Sequence, residues 1–255
     1  MTGETGDHPT LKRVVAMIRT ISANPNRANF GRCSACTVQS LSICGALDQS
    51  DLAEFERIAR HVQFAPNEAL FTAGQIARSV HSLTSGVARL YKLLQDGRRQ
   101  VIGFALPGDF LGLAPSDRYS FSADAIDSVS VCRLSREAFT HFIEQRSHFL
   151  IRINEIAARE LMLAQEQMLW LGRRTAEEKV VSFLVGWRER LAHIGDERQT
   201  IALPMSRQDI ADYLGLTIET VSRTLTRFER EKMLIIVAGG VRLLDPTRAA
   251  AMAAA

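Results

Sequence analysis

The chain has 255 residues, 46% apolar and 23% charged, with a formal net charge of 31 − 28 = +3. That length supports two modest domains with cores of their own, the composition is that of a soluble globular protein, and so small a net charge is no argument for nucleic-acid binding by itself. No apolar run reaches the roughly 18 residues of a membrane span, and the opening stretch MTGETGDHPTLKRVVAMIRTIS carries charges through its only apolar part, so no membrane partner and no signal peptide are expected. The expected location is a reducing cytoplasm, where grouped cysteines bind metal or do redox chemistry more often than they form structural disulfides.

In chain order, residues 1–32 read as a flexible polar tail with one short amphipathic stretch at 11–21. The next segment, CSACTVQSLSIC, holds Cys33, Cys36 and Cys44 in a C-x2-C-x7-C spacing; the fourth and last cysteine is Cys132. A helix is predicted in LDQSDLAEFERIARHV, capped by Asp48 or Ser50. From 62 to 134, short apolar runs alternate with turn signals at Ala73-Gly74, Ser85-Gly86, Asp96-Gly97 and Pro107-Gly108, the texture of a small antiparallel β sandwich or barrel with a hairpin at Asp96-Gly97. From 136 to 171 the period becomes helical: Leu150, Ile153, Ala157, Leu161, Ala164, Met168 and Leu171 form a seam, and Ile156, Leu163 and Trp170 a second apolar face. One face would cover the β domain. The other would meet a second copy of the helix, as in a two-stranded coiled coil, unless the helix is buried within one subunit.

A second unit follows. Thr175 and Glu178 form a capping box opening a helix. Ser206 can cap a short helix from Arg207 to Leu214, Gly215 stops it, and Thr217 caps a longer helix reaching about Lys232. Ile210, Ala211, Leu214, Leu216, Val221, Leu225 and Phe228 supply the inward positions, and IIVAGGVRLLD is expected to be a hairpin turning at Gly239-Gly240. This is the pattern of a winged helix-turn-helix. The N-terminal half of its second helix presents Glu219, Ser222 and Arg223 on one face, a set able to pair with cytosine N4, either base type and guanine respectively. Arg227 could meet phosphates. Residues 171–255 contain 13 Lys/Arg against 11 Asp/Glu, so binding must rest on a local surface and on dimerisation rather than bulk charge. The terminal AAAMAAA is expected to be frayed. The organisation expected is a tail (1–32), a cysteine segment and β-roll or jelly-roll sensor domain (33–135), a helical region with the dimerisation helix (136–172) and a winged helix-turn-helix domain (173–255), an α+β fold.

This order of elements resembles the Crp/Fnr family of bacterial transcription regulators, and DYLGLTIETVSRTL is very similar to the recognition region of its Fnr branch. The resemblance implies that Glu219, Ser222 and Arg223, in the pattern Glu-x-x-Ser-Arg, read a TTGAT half-site, that the operator is a palindrome like TTGAT-N4-ATCAA bound by a homodimer, and that the dimer recruits RNA polymerase, with loops such as Gln95–Arg99 available for it. No enzyme activity is expected. Members that bind cyclic AMP carry Gly-Glu-Leu and Arg-Ser-Ala in the β domain; here the corresponding stretch has Phe121, Ser122 and Ala123 in place of Arg-Ser-Ala and no Gly-Glu-Leu, so a cyclic nucleotide is not expected.

Four thiolates make one closed site, and by their own chemistry suit either structural zinc or an iron–sulfur cluster. In the strand-like SVSVCRL, Val129 and Val131 share one face and Cys132 the other, which is expected to be the less apolar. The resemblance implies that Cys33, Cys36, Cys44 and Cys132 hold one 4Fe-4S cluster per subunit in an oxygen sensor active as an anaerobic homodimer; it also disfavours FixK-type relatives that lack the N-terminal cysteines. An acidic residue that opposes pairing in an Fnr-type relative is absent here: Ala164 occupies that seam position.

Overall fold

The computed structural model describes residue 33, residues 35–113 and residues 116–254; the tail at 1–32, with its amphipathic stretch, lies outside the described residues. The cysteine segment ends in a 3-10 turn, Ile43–Ala46, whose Cys44 N–H donates to the Ser42 hydroxyl. Helix α1 (Gln49–Ile58) follows. Of the two candidate caps Asp48 takes the position, accepting from the Asp51 N–H at 2.8 Å, while Ser50 donates to the same carboxylate.

Eight strands come next: β1 (Arg60–Phe64), β2 (Ala69–Phe71), β3 (Ser79–Ser85), β4 (Ala88–Leu93), β5 (Arg99–Ala105), β6 (Phe110–Leu111), β7 (Ser122–Ala125) and β8 (Val129–Ser135). They pair antiparallel in two four-stranded sheets, ordered β1-β8-β3-β6 and β2-β7-β4-β5, over a core that includes Phe64, Leu83, Ala123, Val129 and Val131. The β4–β5 hairpin turns at Asp96-Gly97, where Gly97 takes φ +83° and the Asp96 carboxylate accepts from the Arg98 N–H.

A second core lies on the outer face of the first sheet, where α1, the 3-10 turn, α2 (Arg136–Glu144) and the start of α3 (Ser147–Arg173) bring Ile43, Leu52, Phe55, Phe142 and Phe149 against Val80, Phe110 and Leu134. Phe142 sits edge-on to both Phe55 and Phe149, with centroids 5.4 and 5.6 Å away. The helical run after 136 is broken between α2 and α3, at Gln145 and Arg146. Arg146 is drawn to α1, 2.5 Å from both Asp51 and Glu54, with its guanidinium over the Phe142 ring.

The C-terminal part is built from α4 (Ala176–His193), β9 (Thr200–Ala202), α5 (Arg207–Leu214), α6 (Ile218–Arg230), β10 (Leu234–Val237), β11 (Gly240–Leu243) and α7 (Pro246–Ala254). The wing has a third strand that the hairpin pattern did not show, in the order β10-β11-β9. Its turn falls one residue earlier than expected. Gly239 takes the positive φ (+74°), whereas Gly240 already pairs in β11, and a Cβ there would come within 2.1 Å of the Ile201 carbonyl oxygen. The alanine-rich end, expected to fray, forms helix α7 instead. Asp245 accepts from the Arg248 N–H at its start, alanine is the best helix former, and Ala249 is buried against the same core as α4.

The two parts share a core. Phe104 of β5 packs against Phe183 and Trp187 of α4 and Tyr213 of α5. Around it, Arg89 of β4 reaches Asp124 of β7 and Asp209 of α5 at 2.6 Å each; Arg99 of β5 reaches Asp209 at 2.6 Å and Asp212 at 3.0 Å; and Gln100 donates to the Asp212 carbonyl.

Candidate functional site

Two sites stand at opposite ends of the chain. At the C-terminal one, the Ser206 hydroxyl and the Asp209 carboxylate cap α5 reciprocally, and Gly215 closes the helix in the left-handed conformation at φ 63°. Thr217 caps α6, accepting from the Thr220 N–H at 3.2 Å. Ile210, Ala211, Leu214, Val221, Leu225 and Phe228 are buried, as is Thr224. That fixes the opposite face outward: Glu219 and Arg223 are exposed and Ser222 half-buried, one turn from the start of α6. The backbone N–H at the helix N-terminus, the Thr217 hydroxyl and the Arg223 charge hold the Glu219 carboxyl below the usual carboxylate range, so the pair presents one acceptor and one fork of donors. Arg227 is engaged elsewhere: its guanidinium lies 2.7 Å from Glu177 and 2.9 Å from Glu231. Reaching a phosphate would mean exchanging those carboxylates.

At the N-terminal end, the antiparallel register places His61, Cys132, Ser82 and Phe110 in one row across the first sheet. Val129 and Val131 face the sandwich interior, so Cys132 points the other way, as alternation requires. That side is not less apolar, however. It is the second core, roofed by the cysteine segment and helices, and both Cys33 and Cys132 are buried. Burial pushes the Cys33 thiol up to about 11 and those of Cys44 and Cys132 to about 12. Smaller contributions come from neighbouring groups: Cys33, Cys132 and Cys36 raise Cys44, Cys33, Cys36 and the Glu56 carboxylate raise Cys132, and Glu56 and Cys36 raise Cys33. The grouped N-terminal cysteines and the distant Cys132 thus lie on the same side of the first sheet. Among the described residues, no group of three or more His, Cys, Asp or Glu side chains is already closed into a metal-holding arrangement. An all-sulfur donor set nonetheless fits a thiophilic metal or an iron–sulfur cluster, which would displace the protons that burial retains. Sequence reasoning missed His61, whose Nδ1 lies 3.6 Å from the Cys132 Sγ; only the strand register reveals it.

Inside the sandwich, Phe71 stacks on Tyr119 at 4.1 Å between centroids and also meets His81 and Phe121. Phe121, expected from the resemblance to stand in place of an arginine, contributes to an aromatic cluster. Along α3, Ala157, Leu161, Ala164 and Met168 of the expected seam are exposed, Leu161 by 59% and Met168 by 63%, while the side chains of Trp170 and Leu171 lie outside the described ones. Ile153, read as part of that seam, packs instead with Ile156 against the cysteine-side core.

The family described as "Cyclic nucleotide-binding domain" matches residues 61–146, and the one described as "Bacterial regulatory proteins, crp family" matches residues 203–234. The transcriptional activatory protein AadR of Rhodopseudomonas palustris is 62% identical over 88% of this chain and 94% of its own length. The nitrogen fixation regulation protein FixK of Bradyrhizobium diazoefficiens is 54% identical over the same shares, and the transcriptional activator protein FnrL of Cereibacter sphaeroides is 32% identical over 84% and 91%. Whole-chain similarity thus runs higher to a FixK protein than to FnrL, against the expectation drawn from the cysteines. The solved structure of FixK2 from Bradyrhizobium japonicum superposes with a TM-score of 0.73 at 36% identity, covering 78% of this chain and 98% of that one. The sandwich, the helices and the winged helix-turn-helix are those of transcription regulators rather than enzymes, and the chain belongs to the Crp/Fnr family.

Proposed function

We propose that this regulator is an oxygen-responsive one, active as an anaerobic homodimer with one 4Fe-4S cluster per subunit held by Cys33, Cys36, Cys44 and Cys132. The observation that carries the reading is that the N-terminal cysteine segment packs on the face of the first sheet to which Cys132 points, with Cys33 and Cys132 buried and Cys36 and Cys44 half-buried. When bound, the cluster would supply a centre that oxygen destroys. The chain's own residues do the rest. The cysteine segment packs Ile43 and Leu47 into the core that also receives Ile153 and Ile156 of α3, so ordering that segment bears directly on the helix carrying the seam. Ala157, Leu161, Ala164, Met168 and Leu171 would pair with the same residues of a second copy. Two α6 helices would then enter successive major grooves of a TTGAT-N4-ATCAA-like palindrome, Glu219, Ser222 and Arg223 reading base edges from Thr217-capped N-termini. Regulators of this family bind DNA and act as dimers with RNA polymerase. We read the sandwich as taking no cyclic nucleotide, because its interior holds the aromatic cluster around Phe71. The working location is the cytoplasm, and the functional division follows the β unit, the α3 region and the winged unit from 173 onward.

A second reading keeps the DNA-binding head and gives the thiols to a structural zinc, which the same all-sulfur set accepts. Anaerobic reconstitution with iron and sulfide separates the two. The sensor reading expects brown protein with about four iron and four sulfide per chain, as a 4Fe-4S cluster requires, tight operator binding under argon, and loss of both in air. Colourless protein that takes up one zinc and binds DNA equally in air and argon overturns it.

A further inference from the structure

We infer that His61 is a positioning residue for the Cys132 ligand, donating its Nδ1–H to the thiolate sulfur. The inference rests on the cluster reading above but on separate observations. His61 and Cys132 are directly opposed in the β1–β8 register, so their side chains leave the sheet on the same face. The ring nitrogen stands 3.6 Å from the sulfur, within hydrogen-bonding reach of a large, polarisable acceptor. Cys132 is buried while His61 is exposed, and His61 lines a surface groove with Val62, Gln63 and Ser130. The imidazole therefore stands between solvent and the ligand's sulfur.

In the metal-free chain the contact joins a neutral thiol to an imidazole, and either partner can carry the shared proton. Once the sulfur is a thiolate it can only accept, and the imidazole must be the donor. A hydrogen bond to a ligating sulfur withdraws charge from it and raises the potential of the centre it holds. It also fixes the side-chain rotamer; outer residues of this kind are typically worth 10–100-fold in metal affinity or activity.

The test compares the full-length wild-type chain with His61→Leu and His61→Asn after anaerobic reconstitution. Asparagine is the conservative variant, because its amide nitrogen, like Nδ1, is one bond beyond Cγ. Three quantities are read: iron and sulfide per chain, the reduction potential, and the rate of iron transfer to a chelator under argon. His61→Leu is expected to assemble the cluster, show a more negative potential and release iron on the order of tenfold faster, with His61→Asn restoring both toward wild type. Wild-type potential and release rate in His61→Leu overturn the inference and leave the cluster reading standing. Equal loss in the leucine and asparagine variants overturns the hydrogen bond in favour of simple shielding. A wild-type chain that assembles no cluster removes both readings together, and the iron content shows which case applies. Because His61 is exposed, neither substitution opens a cavity, and unchanged circular dichroism confirms it.

Discussion

At the scale of single residues, His81 shows how the sandwich interior constrains chemistry. It lies on β3 with 2% of its surface exposed, its ring against Phe71, and its Nδ1 is buried without a hydrogen-bond partner among the described residues. Burial first, and the Arg133 charge second, push the imidazole down to about 4, against about 6.5 in an unfolded chain. Between those two values the unfolded chain binds a proton that the folded chain refuses, so stability rises with pH across that window. The contribution is complete above about pH 6.5 and is lost progressively as pH falls toward 4, on the order of 3 kcal/mol for the full span. Replacing His81 with leucine is therefore expected to flatten the acid limb of the urea-unfolding free energy. A wild-type-minus-variant difference that stays constant from pH 6.5 to pH 4 would show that the ring is not held neutral.

At the scale of elements, the charge network between β4, β5 and α5 fixes how the DNA-reading head is carried. Arg89 and Asp209 are almost wholly buried, with side-chain exposures of 11% and 5%, and Asp209 also caps α5. Breaking a buried pair strands the remaining charge, which costs about 3 kcal/mol or more. Arg89→Met should cost that much by denaturant unfolding and should also speed amide exchange at 210–214 in α5 while leaving β8 protected. Unchanged protection in α5 would mean that the aromatic contacts of Phe104 and the Arg99 and Gln100 bonds hold the head without Arg89. What was legible in the sequence at this scale was whatever is decided locally: a cap at Asp48 or Ser50, the Thr175–Glu178 box, the Asp96-Gly97 turn and the Gly215 stop each depend on residues within a few positions. The network was not legible, because Arg89 and Asp209 are 120 residues apart and carry no local signal. The short β9 strand escaped for the same reason, since it exists only by pairing with β11. Helix α7 escaped because a low-complexity end gives no sign of the core awaiting it. The four cysteines stand out in the sequence, but the apolar side that Cys132 faces and the imidazole beside it emerge only from the strand register and the packing of the helices.

At the scale of the whole molecule, α3 joins the two sites. Ile153 and Ile156 are packed into the core that holds the thiols, while Leu150, Leu161 and Met168 are exposed by 48%, 59% and 63%. Three large apolar side chains spaced along one stripe, with Ala157 and Ala164 between them, make a surface that costs free energy in water, and the proposed dimer would cover it with a copy of itself. The stripe carries no charge at Ala164, so pairing meets no electrostatic opposition there, and the dimer should be less dependent on the thiol site than one with an acidic residue at that position. Sedimentation of wild type in air and under argon at one concentration should then show more dimer under argon, but with dimer still present in air; identical dimer fractions would overturn a seam gated by the thiol site. Leu161→Glu should convert it to monomer, because two buried carboxylates would oppose each other across the two-fold axis. The consequence for DNA is larger than the contact itself. Two half-sites bound through one rigid dimer gain an effective concentration worth on the order of 100-fold or more, which a monomer forfeits. The full palindrome should then bind Leu161→Glu about as weakly as a single half-site binds wild type. If the variant remains dimeric or keeps the wild-type preference for the palindrome, α3 does not form the seam, and the two reading heads must be joined elsewhere.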